Sequence, residues 1–201
     1  MIVMKKEDKK LKYKFYLMSL WLLFVLIFVL TVDIPISFSP DAKFIGVGPL
    51  LKRNWLAFCS LLLAGLGGFF AVKVRREWKG VTNPPYEIAT IENVNYEYLA
   101  FLTTYIIPLV CIDLSNIRYV IVLAVLLVIM GFLFVRMNLY YGNPILALMG
   151  YRLYRVQIKE LDNPPDGIIL ISEDELAVNT SINWIPIDKY VWVVKETKNE
   201  R

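Results

Sequence analysis

Charged and uncharged residues separate into long blocks along this chain. Four segments carry mostly apolar side chains and almost no charge: residues 15–32, 55–72, 97–112 and 119–135. Arg118 and Arg136 bracket the last of them. An uncharged apolar segment flanked by cations is typical of a helix that crosses a membrane. The pattern therefore predicts an α-helical membrane domain over residues 15–136 with four transmembrane helices.

The first segment, residues 15–32, has eighteen residues without a charge. As a helix it would be about 27 Å long, which is enough to cross the hydrocarbon core. A cleaved signal peptide is the alternative interpretation. The long apolar run favours an uncleaved anchor, because the sequence Asp-Ile-Pro-Ile that follows at residues 33–36 has no small residues at cleavage spacing.

The third segment is the shortest. Leu99 to Ile112 would form only about 21 Å of helix, and a start at Tyr96 would place Glu97 among the headgroups. Pro108 is expected to kink this helix and free one carbonyl, with two threonine hydroxyls nearby as donors. A re-entrant hairpin is the alternative. We favour a short kinked span, because a re-entrant backbone needs a cavity or burial in protein.

The second segment has its small residues on one face. At 100° per residue, six of them fall within a single arc of about 100°. They are Ala57, Ser60, Ala64, Gly67, Gly68 and Ala71. Such a face lets two helix backbones approach closely in lipid. The partner helix belongs either to the same chain or to another subunit, and the packing rule does not choose between them.

Cation counting gives the orientation. With the N-terminus inside, the inner segments hold fourteen lysines and arginines and the outer loops hold four. The outer four are Lys43, Lys52, Arg53 and Arg118. Because cytoplasmic loops are enriched in cations, both termini are predicted to be cytoplasmic. Residues 1–14 then form a basic cytoplasmic N-terminus, and residues 137–155 form an interfacial elbow with a short helix near Pro144.

Residues 156–201 differ from the rest of the chain, since they hold nine acidic and five basic residues. Short β-branched and aromatic runs at 167–171, 184–187 and 190–194, with another near Tyr154, predict a small β-rich cytoplasmic domain. Forty-six residues bury little core by themselves. This domain is therefore expected to lean on a partner, on another subunit or on the basic loop at residues 73–79.

The composition excludes several classes of catalytic and metal-binding site. The chain is 57% hydrophobic, has a net charge of +4 and contains no histidine. Histidine-dependent nucleophile pairs and metalloprotease helices are therefore excluded. Two cysteines are too few for a cysteine-based zinc ribbon. The acidic cluster at Glu173, Asp174 and Glu175 is explained more simply as a solvated turn than as a metal site. We predict no enzyme, no catalytic residue, no cofactor and no metal.

Cys59 and Cys111 would lie near the outer ends of their helices. The outer compartment permits a disulfide between them. Alternatively, each cysteine is a free small hydrophobic residue. The sequence leaves both interpretations open.

Rival functions remain. Almost no ionisable group lies inside the four segments, which argues against a transporter. A small oligomeric channel lined by Thr103, Thr104 and Ser60 is the alternative function. A membrane enzyme acting on lipid is the other rival, and no acid–base pair in the sequence supports it.

Two segments resemble a known family. They are LAFLTTYIIPL at residues 99–109 and NPILALMGYRLY at residues 143–154. With four spans and a small acidic tail, the chain resembles KwaA, the membrane subunit of the two-component Kiwa anti-phage defence system. The resemblance implies a bacterial inner-membrane sensor that registers membrane disturbance by phage. It would relay this signal to a cytoplasmic partner, KwaB, that acts on phage DNA processes.

The expected partners follow from these interpretations. They are the lipid bilayer, further copies of this chain in a homo-oligomer such as a tetramer, and a cytoplasmic protein like KwaB, with no direct nucleic-acid binding. The candidate docking residues are the basic inner loop and the acidic cluster of the tail. They are Lys73, Arg75, Arg76, Lys79, Glu173, Asp174 and Glu175.

Overall fold

The computed structural model describes residues 9–34, 46–78, 83–159, 161, 162, 164 and 166–197. Its helices are α1 (Lys9–Ser19), α2 (Trp21–Thr31), α3 (Val47–Arg53), α4 (Trp55–Glu77), α5 (Tyr96–Cys111), α6 (Ile117–Arg136) and α7 (Pro144–Leu148). A 3-10 turn, Leu139–Gly142, precedes α7. Its strands are β1 (Tyr86–Asn93), β2 (Arg152–Ile158), β3 (Ile168–Ser172), β4 (Ser181–Pro186) and β5 (Val191–Glu196).

Two helices, α4 and α6, are long and apolar enough to cross a membrane. The first predicted span is two helices rather than one, because α1 and α2 meet at Leu20 with a bend of 41°. The hydroxyl of Ser19 donates to the carbonyl of Tyr16 at this break, at 2.7 Å. Counted together, α1 and α2 make a third span. Helix α5 has only 16 residues, so length and composition support two or three spans, and the fourth stays a prediction.

The small-residue face of α4 packs against α1 and α2 of the same chain. A Cβ atom built on Gly67 would lie 3.1 Å from the carbonyl oxygen of Leu17 and 3.3 Å from Cβ of Trp21. Gly68 faces the indole of the same tryptophan. Only a residue without a side chain allows these backbones to approach so closely.

The five strands form a closed barrel in the order β1-β2-β3-β5-β4. Every neighbouring pair is antiparallel except β3 and β5, which are parallel. This order and these directions are those of the OB-fold, a five-stranded Greek-key barrel. The structure thus identifies the β-rich domain predicted for the tail as a small barrel.

Strand β1 closes the barrel and comes from outside the C-terminal tail. It lies between α4 and α5 in the sequence, in a segment that the hydrophobic pattern did not assign to the β domain. Tyr86 and Glu87 pair with β4, whereas Ile88 and Thr90 to Asn93 pair with β2. A register shift between Ile88 and Thr90 interrupts the pairing with β2. A bulge of this kind bends a strand, which lets β1 serve both neighbours.

The barrel interior is filled by aliphatic and aromatic side chains. Ile88, Leu170 and Ile182 have no exposed surface there. The indoles of Trp184 and Trp192 stack with ring centroids 4.5 Å apart. Since β3 is buried along its whole length, both of its faces must be covered. One face points into this interior and the other faces the helices.

The barrel lies against one end of the helices. Phe15 and Met18 of α1, Val74 of α4 and Phe134 of α6 belong to a single buried cluster with the outer face of β3 and β5. A second cluster, which includes Phe24, Ile27 and Leu109, holds the helices together farther from the barrel. We call these the barrel end and the far end of the helices.

We predict that alanine at Ile88 lowers the free energy of unfolding by about 2–5 kcal/mol, since the substitution leaves a cavity in the barrel. Chemical denaturation in detergent, followed by tryptophan fluorescence, measures this change. Thr90→Ala, at an exposed site on the same strand, is the control and should change stability by less than about 0.5 kcal/mol. Equal stability of the two variants would show that β1 is not part of the folded barrel.

Candidate functional site

The candidate functional site is the junction between the barrel and the helices. The outer face of β3 and β5 supplies Ile169, Ile171, Val191 and Val193, all of them buried. These side chains share a cluster with Tyr140, Ile145 and Leu146, which lie between α6 and β2. On the surface of a free barrel, a contiguous apolar patch such as this one would mark an interaction site. Here the chain covers it with its own elbow.

This covered face bears on nucleic-acid binding. OB-folds bind oligonucleotides through the face of strands 2 and 3 and through the loops that join strands 1 to 2 and 4 to 5. In this chain α5, α6 and α7 stand between β1 and β2, and the outer face of β3 is buried against the elbow. The outer face of β3, which is one part of the usual ligand face of the fold, is therefore occupied within the chain.

The elbow is anchored on two sides by buried polar groups. The Tyr140 hydroxyl donates to Oδ2 of Asp188 in the turn between β4 and β5, and both residues are buried. Oδ1 of Asp188 accepts from the backbone N–H groups of Tyr190 and Val191, at 2.7 and 2.9 Å. One carboxylate thus shapes the barrel turn and holds the elbow against it.

On its other side the elbow is bound to α1. The ammonium of Lys12 donates to Oδ1 of Asn138, whose φ of 57° is left-handed. The fully buried Asn143 donates from Nδ2 to the carbonyl of Phe15, at 3.1 Å. Its Oδ1 accepts from the N–H of Ile145, at 3.0 Å, and so caps α7. The short helix that the sequence predicted near Pro144 is confirmed, and the bonds to α1 explain its position.

Arg155 of β2 links the barrel to α5. Its guanidinium contacts Glu97 in the first turn of α5 at 3.2 Å and Glu92 of β1 at 3.3 Å. The Glu97 side chain is 17% exposed and that of Glu92 is 61% exposed. Burial, together with the neighbouring Glu97, raises the pKa of Tyr141 to about 12, so this phenol stays protonated beside the carboxylate. Strands β1 and β2 and helix α5 therefore meet at one arginine.

The start of α5 is also bonded to the start of β2. Oδ1 of Asn95 accepts from the backbone N–H of Leu153 at 2.6 Å, and the N–H of Val94 donates to the carbonyl of the same leucine at 3.1 Å. The hydroxyl of Tyr98 donates to the carbonyl of Tyr151 at 3.3 Å. Helix α5 therefore begins as a direct continuation of the barrel.

The structure brings two of the candidate docking groups together. Arg75, near the end of α4, lies 3.9 Å from Glu173, which follows β3. Burial and this same glutamate raise the pKa of Tyr151 to about 12. Because Arg75 and Glu173 are each about half exposed, their ion pair contributes little stability. The basic loop and the acidic tail therefore touch each other, as one of the expectations for the tail proposed.

The remaining docking candidates are scattered around this contact. Lys73 lies 3.9 Å from Glu77 within α4, and Arg76 is exposed. Asp174 accepts from the backbone N–H of Glu196 at 3.0 Å. Glu175 pairs with Arg152 at 3.1 Å. Lys79 lies outside the described residues.

The other sequence-predicted positions lie farther from the junction. On α4, Ala57, Ser60, Ala64, Gly67 and Ala71 are buried and Gly68 is half-buried. Their contacts are with α1 and α2 of the same chain. Homo-oligomerisation itself stays a prediction.

Pro108 lies inside α5. The hydroxyls of Thr103 and Thr104 donate to the carbonyls of Ala100 and Phe101, at 2.8 and 2.6 Å. They do not reach the carbonyl that the proline frees, so that expectation was wrong. Each hydroxyl instead bonds one turn back along its own helix.

Cys59 and Cys111 are free and exposed in the structure. Among the described residues, no group of three or more histidine, cysteine, aspartate or glutamate side chains is placed to hold a metal ion. The carboxylates at the junction are instead engaged in the ion pairs and hydrogen bonds described above.

Comparison with known proteins decides the family. A family model described as "Anti-phage protein KwaA" matches residues 11–193, which include both the helices and the barrel. The chain belongs to the KwaA family. A curated relative, the "Kiwa protein KwaA" of Escherichia coli O55:H7 (strain RM12579 / EPEC), is 31% identical over 189 residues. The match covers 92% of this chain and 95% of that relative. No solved structure matches this chain.

Family membership confirms the resemblance drawn from residues 99–109 and 143–154. Those two segments form most of α5 and the stretch from α7 into β2, which meet at the junction. Sequence reasoning missed Tyr140, Asp188 and Asn95 as junction residues. Asp188 carried one usable signal, since an aspartate before a tight turn commonly accepts from the backbone two residues on.

We predict that Tyr140→Phe lowers the free energy of unfolding by about 1–3 kcal/mol, because it leaves a carboxylate oxygen of the buried Asp188 without its donor. Denaturation in detergent measures this change. Tyr190→Phe is the control, because that side chain is 41% exposed. A Tyr140→Phe protein that unfolds like the control would mean that the hydroxyl does not hold elbow and barrel together.

Proposed function

We propose that this KwaA-family protein is a sensor and scaffold in the bacterial inner membrane. Its helices would register disturbance of the bilayer by phage, and its barrel would present the signal to a cytoplasmic effector that binds DNA. The observation that carries this proposal is the position of β1. A barrel strand that is joined at one end to α4 and at the other to α5 links the barrel directly to the helices.

The proposal includes four spans with both termini in the cytoplasm. The bent pair α1 and α2 would form the first span, and α5 the third. At 1.5 Å per residue, the 16 residues of α5 reach about 24 Å, somewhat less than a typical hydrocarbon core of about 30 Å. A short span fits a bilayer that is locally thinned or a helix whose flanking groups reach the interface. With two crossings before β1 and four before β2, the barrel would lie on the same side of the membrane as the start of α1. This agrees with the buried cluster that α1 shares with β3 and β5.

A short span and a bent span are suited to sensing. Hydrophobic mismatch costs a fraction of a kcal/mol for each ångström, so a change in bilayer thickness or tension changes the preferred tilt of such helices. Tilting of α5 would move Glu97 and Asn95, which are bonded to β2. The bilayer and the barrel would therefore both act on the position of α5. Coupling between two sites requires such a shared element.

The scaffold part of the proposal concerns the exposed barrel surface. Since the face of β3 and β5 is covered by the elbow, an effector would dock on the remaining surface, which includes the Arg75–Glu173 contact. Direct binding of nucleic acid is not part of this proposal, and the covered OB-fold face supports that choice. A homo-oligomer would use a face other than the small residues of α4, since α1 and α2 already occupy that face.

We predict that Arg155→Glu reduces protection against phage by at least about tenfold. The substitution replaces the attraction between β2 and α5 with repulsion. It thereby removes a coupling free energy of a few kcal/mol at most. Plating efficiency on cells that carry the complete defence system measures protection. Lys159→Glu is the matched control, since this cation at the end of β2 pairs with Glu87 of β1 within the barrel, and it should leave protection unchanged.

Adding Glu97→Arg to Arg155→Glu restores an opposite-charge pair, so we expect partial recovery of protection. Membrane fractionation and immunoblotting must show equal amounts of all variants. Full protection by Arg155→Glu at normal expression would contradict coupling through this arginine.

We also predict that a fluorescent protein fused after Arg201 is bright and that alkaline phosphatase fused there is inactive, because the barrel lies on the cytoplasmic side. Fusions in the loop between α5 and α6, after Ser115, should give the reverse result. Active phosphatase at the C-terminus would overturn the proposed orientation.

A further inference from the structure

A cleft of about 320 Å³ opens at the far end of the helices, away from the barrel. Its walls come from the end of α2, the start of α4 and the start of α6. The apolar lining includes Leu30, Leu56, Ile117 and Val120, and Trp55 lies at its edge, 47% exposed. This size is at the lower end of the range for small-molecule sites.

The cleft lies beyond the region where α6 packs against α1. Helix α6 contacts α1 through the half of α6 that is nearer the barrel. There the hydroxyl of Tyr16 donates to the carbonyl of Leu127, at 2.5 Å. The ring of the same tyrosine lies so close to Gly131 that an added Cβ would be 2.6 Å from it. Toward the far end, Leu123 is the first buried residue of α6. The turns before it stand away from α2 and α4.

The mouth of the cleft carries one cation and one anion in a fixed arrangement. Nε of Arg53 donates to Oδ2 of Asp33 at 2.8 Å. Asn54, which is 1% exposed, accepts from the backbone N–H of Asp33 at 2.6 Å and donates to its carbonyl at 2.9 Å. A buried amide therefore holds the aspartate beside the arginine. Both charged side chains remain about half exposed and open to a ligand.

We propose that this cleft binds one phospholipid of the outer leaflet that has a zwitterionic, amine-bearing headgroup. The phosphate lies against the Arg53 guanidinium and the ammonium against the Asp33 carboxylate, while an acyl chain follows the apolar wall between α2 and α6. Arginine is well matched to phosphate oxygens. A paired cation and anion complement a zwitterion better than they complement a headgroup with only negative charge.

The position of the cleft supports a lipid as the occupant. Its polar mouth lies where the apolar helices end, and a tryptophan at that level is typical of the membrane–water boundary. This inference rests on the membrane placement proposed above. It adds a ligand to the end of the helices that would face the outer leaflet, while the reporter fusions test the placement independently.

The test uses the purified full-length protein in detergent, probed by native mass spectrometry with dioleoyl phosphatidylethanolamine or dioleoyl phosphatidylglycerol. We expect the wild type to retain the first lipid in preference to the second. Arg53→Gln should reduce its retention about tenfold, the effect of losing one charge-assisted contact. Lys52→Gln removes the neighbouring cation of α3, which does not line the cleft, and should leave retention unchanged.

A second pair of variants tests the cleft without touching the ion pair. Val120→Trp fills the apolar wall and should also abolish preferential retention. Val125→Trp, at an exposed position of α6 outside the cleft, should not. Equal retention by Arg53→Gln and wild type, equal retention of the two lipids, or equal effects of the two tryptophan substitutions would each overturn the proposal. Phage protection is not measured, so failure here leaves the sensor proposal to its own test.

Discussion

The backbone of a sheet edge must find hydrogen-bond partners, and this requirement organises the molecule. Strands β2 to β5 leave β2 and β4 with open edges, and β1 pairs with both. Because β1 stands between α4 and α5, the barrel cannot close unless these helices deliver the strand to it. Folding of the barrel and assembly of the helices are therefore parts of one process.

The junction extends this dependence to the remaining helices. The elbow covers the outer face of β3 and β5, and it is held by Asp188 on the barrel side and by Lys12 and Phe15 on the α1 side. Each buried side-chain nitrogen or oxygen that the structure describes at this boundary has a partner, which is what makes a water-poor junction stable. Within the described core, two buried side-chain oxygens have no partner, on Tyr105 and Thr197. The first lies among the helices, away from the junction.

The two ends of the helices thus have different structures. At the barrel end, α1, α4, α5 and α6 are tied to the barrel by buried contacts and by Arg155. At the far end, α6 separates from α2 and α4 and leaves an apolar cleft with the Arg53–Asp33 pair at its mouth. The helices are therefore closely packed at the barrel end and open at the far end. This difference fits the sensor function proposed above for this KwaA-family protein.

The apolar helices, four of the five strands and the family were all predictable from the sequence, whereas the orientation taken from the charge bias stays a prediction. These features are local, because a hydrophobic run, a β-branched run or a matching segment is visible within about twenty residues. Strand β1 was missed because Glu87 and Glu92 interrupt it and it lies between two spans, with no turn signal to a neighbouring strand. The bend at Leu20 and the partner of the small face of α4 were equally undetermined, since both depend on which backbone lies opposite. The assembly of residues 86–93 and 152–196 into one barrel is visible in the folded chain alone. Pairing across about sixty residues of intervening helix leaves no periodic pattern in the sequence.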